Sequence, residues 1–261
     1  MNLDLTKKTA LVCGSTQGLG YASARELALL GCDIVLMARN EERLQELIPT
    51  LDTSKKQHHQ YLVADFTDTD AVRFDITGFV KNNTVHILVN NTGGPPGGNA
   101  LTAEAEEFVN AFNIHLVNNH NLVQAVVPGM KAAGFGRIIN IISTSVKNPI
   151  AGLGVSNTIR AAVANWAKTL ATELGPFGIT VNNVLPGFTK TARADYVIAA
   201  KAKAGNISEA AVMNQLVAEI PAGRIGNPEE FGAAVAFLCA PAAAYINGIN
   251  LPVDGGRLGC L

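Results

Sequence analysis

Thr9-Ala-Leu-Val-Cys-Gly14-Ser-Thr-Gln-Gly18-Leu-Gly20 decides the fold. Its apolar start reads as a buried strand, and its three glycines read as a tight turn. Tyr21 to Gly31 then places Ala24, Leu27 and Ala28 at helical spacing. Strand, glycine turn and helix in that order bring open backbone N–H groups and the positive end of a helix dipole to one point. A diphosphate could approach the main chain there, because glycine leaves room for it. The spacing, Gly-x-x-x-Gly-x-Gly, departs by one position from Gly-x-Gly-x-x-Gly, so a plain turn between a strand and a helix stays open until the rest of the chain is read.

The rest of the chain repeats the alternation. Strands are expected at Asp33–Ala38, Tyr61–Ala64, His86–Asn90, Arg137–Ile142, Thr180–Leu185 and Asn250–Val253. A helix capped by Asn40 should run to about Leu51, and one opened by Thr67 or Asp68 should end near Asn82-Asn83. A single long helix is expected from about Ala103 to Ala133, with Pro128 kinking or breaking it near its end. Val155–Gly175 and Pro228–Cys239 complete the set, the latter with proline in its first turn. This order predicts a single-domain α/β architecture, a Rossmann-type doubly wound parallel sheet of about seven strands with helices on both faces. Ligands then belong at the carboxyl ends of the strands.

Composition narrows the function. The chain has 261 residues, 48% of them hydrophobic and 16% charged, enough apolar material for one large core. A net charge of −1 argues against nucleic-acid binding. No apolar run reaches membrane-spanning length and the first residues lack a signal core, so a cytoplasmic protein without a membrane partner is expected. Cys13, Cys32, Cys239 and Cys260 are scattered, which suggests free thiols and no metal site.

Within that frame the first turn, comprising Gly14, Ser15, Thr16, Gln17, Gly18, Leu19 and Gly20, becomes a dinucleotide cradle. The second strand ends Ala38-Arg39 instead of in an acid. A guanidinium there suits a 2′-phosphate, so NADP(H) is expected over NAD(H), with Thr16 and Gln17 as further donors. Asp65 could accept from an adenine amino group or could equally be a turn or cap residue. Asn90-Asn91-Thr92-Gly93 could lie against the cofactor or form an ordinary turn.

These stretches, with Gly136-Arg-Ile-Ile-Asn-Ile-Ile-Ser143, Asn182-Asn-Val-Leu-Pro186-Gly187 and Val253-Asp-Gly-Gly256, resemble the short-chain dehydrogenase/reductase family over essentially the full length. The broad likeness is to NADP-dependent 3-oxoacyl-acyl-carrier-protein reductases. The resemblance implies hydride transfer between nicotinamide and a carbonyl or alcohol carbon, served by a Ser, a Tyr-x-x-x-Lys pair and a helix Asn. Ser143 matches the catalytic Ser. Thirteen residues on, the Tyr position holds Ser156, and the Lys position holds Arg160. The helix Asn position holds His115.

That departure has chemical weight. A phenol titrates near ~10 and can be tuned downward by a neighbouring cation. A serine hydroxyl is a far weaker acid, and arginine does not exchange protons. Ser156 and Arg160, at i and i+4, still share one helix face. His115, with an ordinary pKa near ~6.5, is the best-tuned proton donor in sequence, acting directly or through water. A helix histidine bonded to a carbonyl is the equal alternative; Lys147 and Tyr196 are weaker candidates, and His120 reads as surface.

By the resemblance, Pro186, Gly187, Thr189 and Thr191 flank the nicotinamide side, and 189–224 forms a substrate lid. Family helices near 103–133 and 155–175 commonly pack between subunits, implying a homodimer or homotetramer. Trp166 and Phe177 read as core or subunit contacts. The leading expectation is an NADP(H)-dependent oxidoreductase on a small carbonyl, alcohol or acyl substrate. A catalytically silent NADP(H)-binding protein and a non-redox enzyme on this scaffold are the alternatives.

Overall fold

The structure, a computed structural model, describes residues 1–260. Seven parallel strands form one sheet: β1 Thr9–Cys13, β2 Asp33–Ala38, β3 Gln60–Val63, β4 Ile87–Asn90, β5 Gly136–Ile141, β6 Ile179–Pro186 and β7 Asn250–Val253. Their order is β3-β2-β1-β4-β5-β6-β7. The chain reverses direction across the sheet between β1 and β4, which opens a crevice at their carboxyl ends.

The helices are α1 Gly18–Leu29, α2 Glu41–Leu47, α3 Thr69–Phe79, α4 Ala105–Phe112, α5 Asn118–Ala133, α6 Gly154–Leu174, α7 Ala192–Gly205, α8 Glu209–Ala218 and α9 Pro228–Cys239. Strand side chains alternate between the faces. Ala10 and Val12 join Leu27, Leu44 and Phe231 of α1, α2 and α9. Leu11 and Cys13 join Val72, Leu122 and Ala167 of α3, α5 and α6. Burying each such leucine or valine contributes about 1.5–3 kcal/mol.

Local signals explain the boundaries. Asn40 accepts from Arg43 N at the start of α2, and Asp68 from Ala71 N at the start of α3. The expected single helix over 103–133 is corrected. It is two helices joined by a π turn over Asn113–Val117, while Pro128 sits inside α5 without ending it. The irregularity lies at His115, where the extra residue per turn widens the helix.

Four asparagines form a rung across the second face. Asn90 donates to Asn140 (2.9 Å), Asn140 to Asn183 (2.9 Å) and Asn183 to Asn250 (2.8 Å), each pair in register on neighbouring strands. From the carboxyl ends of β4 and β5, through the middle of β6, to the start of β7, the sheet is therefore tied by side-chain amides as well as by backbone.

Candidate functional site

The turn after β1 meets the geometric demands of an anion cradle. Gly14 and Gly18 have φ of +56° and +57°, a region that disfavours side chains. A Cβ at Gly14 would lie 2.6 Å from the Asn91 carbonyl oxygen, and one at Gly20 would strike the Gly14 oxygen. Asn91 braces this turn, its Nδ2 donating to the carbonyls of Cys13 (3.3 Å) and Gly14 (3.1 Å). Helix α1 begins here with no side-chain cap and no acid in its first turn, so its leading N–H groups stay open to a phosphate.

The flanking residues divide by role. Ser15 is buried and its hydroxyl accepts from Met37 N (2.9 Å), pinning the turn to β2; Gln17 faces outward and Thr16 is half-buried. Arg39 is exposed at the end of β2, and no carboxylate lies within ion-pair distance of it among the described residues. Asp65 accepts from Thr67 N and from Thr67 Oγ1, both at 2.9 Å. These bonds, with a smaller contribution from Arg39, hold its carboxyl below the ordinary range. Asp65 is thus a turn residue with one oxygen engaged.

Across the crevice, Thr191 caps α7, accepting from Ala194 N at 3.3 Å. A Cβ on Gly18 would lie 3.5 Å from Thr191 Cγ2, so the loop after β6 faces the glycine turn. Gly187 N donates to Val253 O (2.9 Å), and Thr189 is buried with its hydroxyl turned to Gly187 O (3.4 Å). Pro186 closes β6 just before this loop. Gly93 is exposed on the loop after β4, and Leu19 is half-buried in the first turn of α1.

Ser143 follows β5 and accepts from Ser145 N (3.0 Å), capping a short 3-10 turn. Helix α6 packs against that turn and against the π turn. Ser156 lies half-buried in its first turn. Arg160, one turn on, is buried; its Nη1 donates to Ile141 O (3.2 Å), and among the described residues no carboxylate pairs with it. Burial lowers its pKa to about 10, which leaves it charged at neutral pH. A Cβ on Gly94 would lie 3.8 Å from its Nη2, so the guanidinium reaches the loop after β4.

His115 differs from its sequence reading. Its Nδ1 lies 2.6 Å from Thr92 Oγ1, and the residue is 2% exposed. Burial first, and the Arg160 charge second, push its pKa down to about 3. At neutral pH the ring is uncharged, so the ordinary value near ~6.5 does not apply here. Of the others, Tyr196 is exposed with Arg193 over its ring at 5.5 Å, and His120 is half-buried instead of at the surface, meeting Trp166 edge-on at 6.3 Å. Lys147 ends the 3-10 turn after Ser143. Among the described residues no group of His, Cys, Asp or Glu is placed to hold a metal ion.

Beside Ser143 lies a cavity of about 620 Å³, whose polar wall is Thr144, Asn148, Lys201, Glu219, Asp254 and Arg257. Sequence reading quoted Asp254 only within Val253–Gly256 and reached Lys201 and Glu219 only as part of the expected 189–224 lid; Thr144, Asn148 and Arg257 it did not single out. They come from four segments with no shared motif, and only the fold brings them together.

Comparison with known proteins bears on the family and the fold. A family model described as enoyl-(acyl carrier protein) reductase matches residues 14–257. The 3-oxoacyl-(acyl-carrier-protein) reductase of Haemophilus influenzae is 34% identical over 255 residues, covering 95% of this chain and 97% of that protein. Among solved structures, L-sorbose reductase from Gluconobacter frateurii, complexed with NADPH and L-sorbose, superposes with a TM-score of 0.93 at 29% identity, covering 100% of both chains. YwfH, an NADPH-dependent reductase involved in bacilysin biosynthesis, gives 0.91 at 28% identity, covering 98% of this chain and 100% of the other.

Proposed function

We propose that this chain, which belongs to the short-chain dehydrogenase/reductase family, is an NADP(H)-dependent reductase of a carbonyl compound, or the corresponding alcohol dehydrogenase. The observation that carries this reading is the cradle: Gly14, Gly18 and Gly20 backed by Asn91, with the uncapped α1 and the unpaired Arg39 beside it. Gly14 to Gly20 would hold the diphosphate, Arg39 the 2′-phosphate, and Asp65 and Gly93 the adenosine side. Pro186 to Thr191 would border the nicotinamide, and residues 189–224 would cover the substrate. Bound dihydronicotinamide supplies a hydride to the carbonyl carbon.

The proton site is atypical in this reading, with Ser156 and Arg160 standing where the family uses Tyr and Lys. Ser143 and Ser156 hold the substrate oxygen. Arg160, charged and lacking an acid partner, stabilises negative charge on that oxygen or grips a ribose hydroxyl. It does not give up the proton. The neutral His115 and its partner Thr92 order the water through which solvent delivers it. A silent cofactor-binding protein is the second reading, favoured by the absence of a phenol at position 156.

The test measures NADPH oxidation across ketones, oxo acids and 3-oxoacyl thioesters. Turnover with one class, reduced about 10²-fold or more in Ser143→Ala, is the expected result. Tight NADPH binding with no turnover of any class would favour the silent reading.

A further inference from the structure

The segment between the 3-10 turn after β5 and the start of α6 forms one side of the cavity beside Ser143. Pro149, Ile150 and Ala151 supply its apolar wall. Asn157 stands seven residues after Ile150 and next to Ser156. Its Nδ2 donates to Ile150 O (2.9 Å), and its Oδ1 accepts a longer bond from Ile150 N (3.4 Å). One side-chain amide thus grips both backbone groups of a wall residue. Among the described residues no other side chain hydrogen-bonds to residues 149–153.

The glycine-rich loop after β4 ties the same wall from the other side. Gly98 N donates to Gly152 O (2.8 Å), and Gly154 N donates to Gly98 O (2.9 Å). Helix α6 has no side-chain cap, so the Gly98 carbonyl takes one of the N–H groups that its first turn leaves open. The crossing is close, because a Cβ at Gly154 would strike the backbone of Ala100. Near the start of the loop, a Cβ on Gly94 would lie 3.8 Å from Arg160 Nη2. Wall, loop and the start of α6 are thereby one hydrogen-bonded unit, and the same helix carries Ser156 and Arg160.

We propose that Asn157 is a positioning residue, which fixes the wall of 149–153 relative to Ser156 and so sets where the body of the substrate lies against the reacting groups. This rests on the reductase reading of the same site. Asn157 acts through Ile150 and not on the reacting atoms. A wall anchored at two points is already ordered when the substrate arrives, so binding does not have to order it. Ser143 is held separately, by its bond from Ser145 N, and Ser156 is held by the helix itself. Loss of Asn157 therefore loosens the wall and leaves the reacting groups in place. Such a loss weakens ground state and transition state alike, which raises KM and spares kcat.

The test compares NADPH-loaded wild type with Asn157→Ala. Alanine is the better helix former, so α6 and the fold survive the change. Hydrogen exchange read by mass spectrometry should become faster over residues 148–154 and stay unchanged over β1 and α1, with NADPH affinity also unchanged. With whichever of the ketones, oxo acids and 3-oxoacyl thioesters the wild type reduces, KM should rise about fivefold or more while kcat stays within about twofold. Unchanged exchange over 148–154, or faster exchange with an unchanged KM, overturns the proposal. A fall in kcat at unchanged KM also overturns it, because it would place Asn157 among the reacting groups. If the wild type reduces no carbonyl compound, the reductase reading fails by itself; unchanged exchange would still refute the anchoring of the wall by Asn157, and faster exchange would still uphold it.

Discussion

Arg160 and His115 compete for charge in one buried volume, and the guanidinium keeps its proton because its intrinsic basicity is far higher. Two outcomes follow. The pH profile of turnover should show no inflection near the ordinary histidine value, because the folded ring stays neutral to about pH 3; a limb near pH 6.5 that vanishes in His115→Asn would contradict this. For stability, the folded pKa is depressed below the unfolded value, so the unfolded chain binds the extra proton. The contribution is full above about pH 6.5 and is lost as pH falls toward about 3. In urea titrations His115→Asn should therefore lose less stability than wild type between those limits. Arg39 makes the other prediction at this scale. Arg39→Asp should weaken NADPH by about tenfold or more while NADH changes little; equal weakening of both would remove Arg39 from the 2′-phosphate.

Among the elements, the asparagine rung and the π turn were the least legible in the sequence. Periodicity located the strands because each side of the sheet is lined by apolar residues. Asn90 closes its run and can be read as a turn signal, whereas Asn140 and Asn183 fall inside expected strands with nothing to mark them as partners. Their pairing depends on register between strands far apart in sequence, which no local pattern carries. The π turn was equally hidden: Ile114, Leu116 and Val117 suit a continuous helix, and Pro128 drew the expected break to the wrong place. The glycine turn was legible because its backbone demands particular residues. Asn140→Ala should lower stability by about 1–3 kcal/mol, since it strands the amide of Asn90 and the oxygen of Asn183. A shifted urea midpoint at unchanged slope would show it; an unchanged midpoint would mean the rung contributes nothing.

For the whole molecule, the resemblance offered motif residues for the cofactor half, but for the substrate half only a segment. The cavity assembles from residues near 144–148, 201, 219 and 254–257, each ordinary in its own context. The particle is predicted to be a dimer or tetramer. The family's association through helices agrees with the exposed Val109 and Phe112 of α4, 57% and 42% accessible in the single chain. Light scattering should show two or four chains and a shift toward monomer in Val109→Glu/Phe112→Glu; a monomeric wild type would contradict this.

The central claim, reduction without a phenolic acid, is tested most directly by isotope transfer. NADPH deuterated at nicotinamide C4, on either face, is incubated with the protein and a set of oxo acids and 3-oxoacyl thioesters, and the products are weighed by mass spectrometry. The account predicts deuterium on the carbinol carbon of one substrate class, from one face of the ring. Bound NADPH that transfers no deuterium to any of them would contradict it.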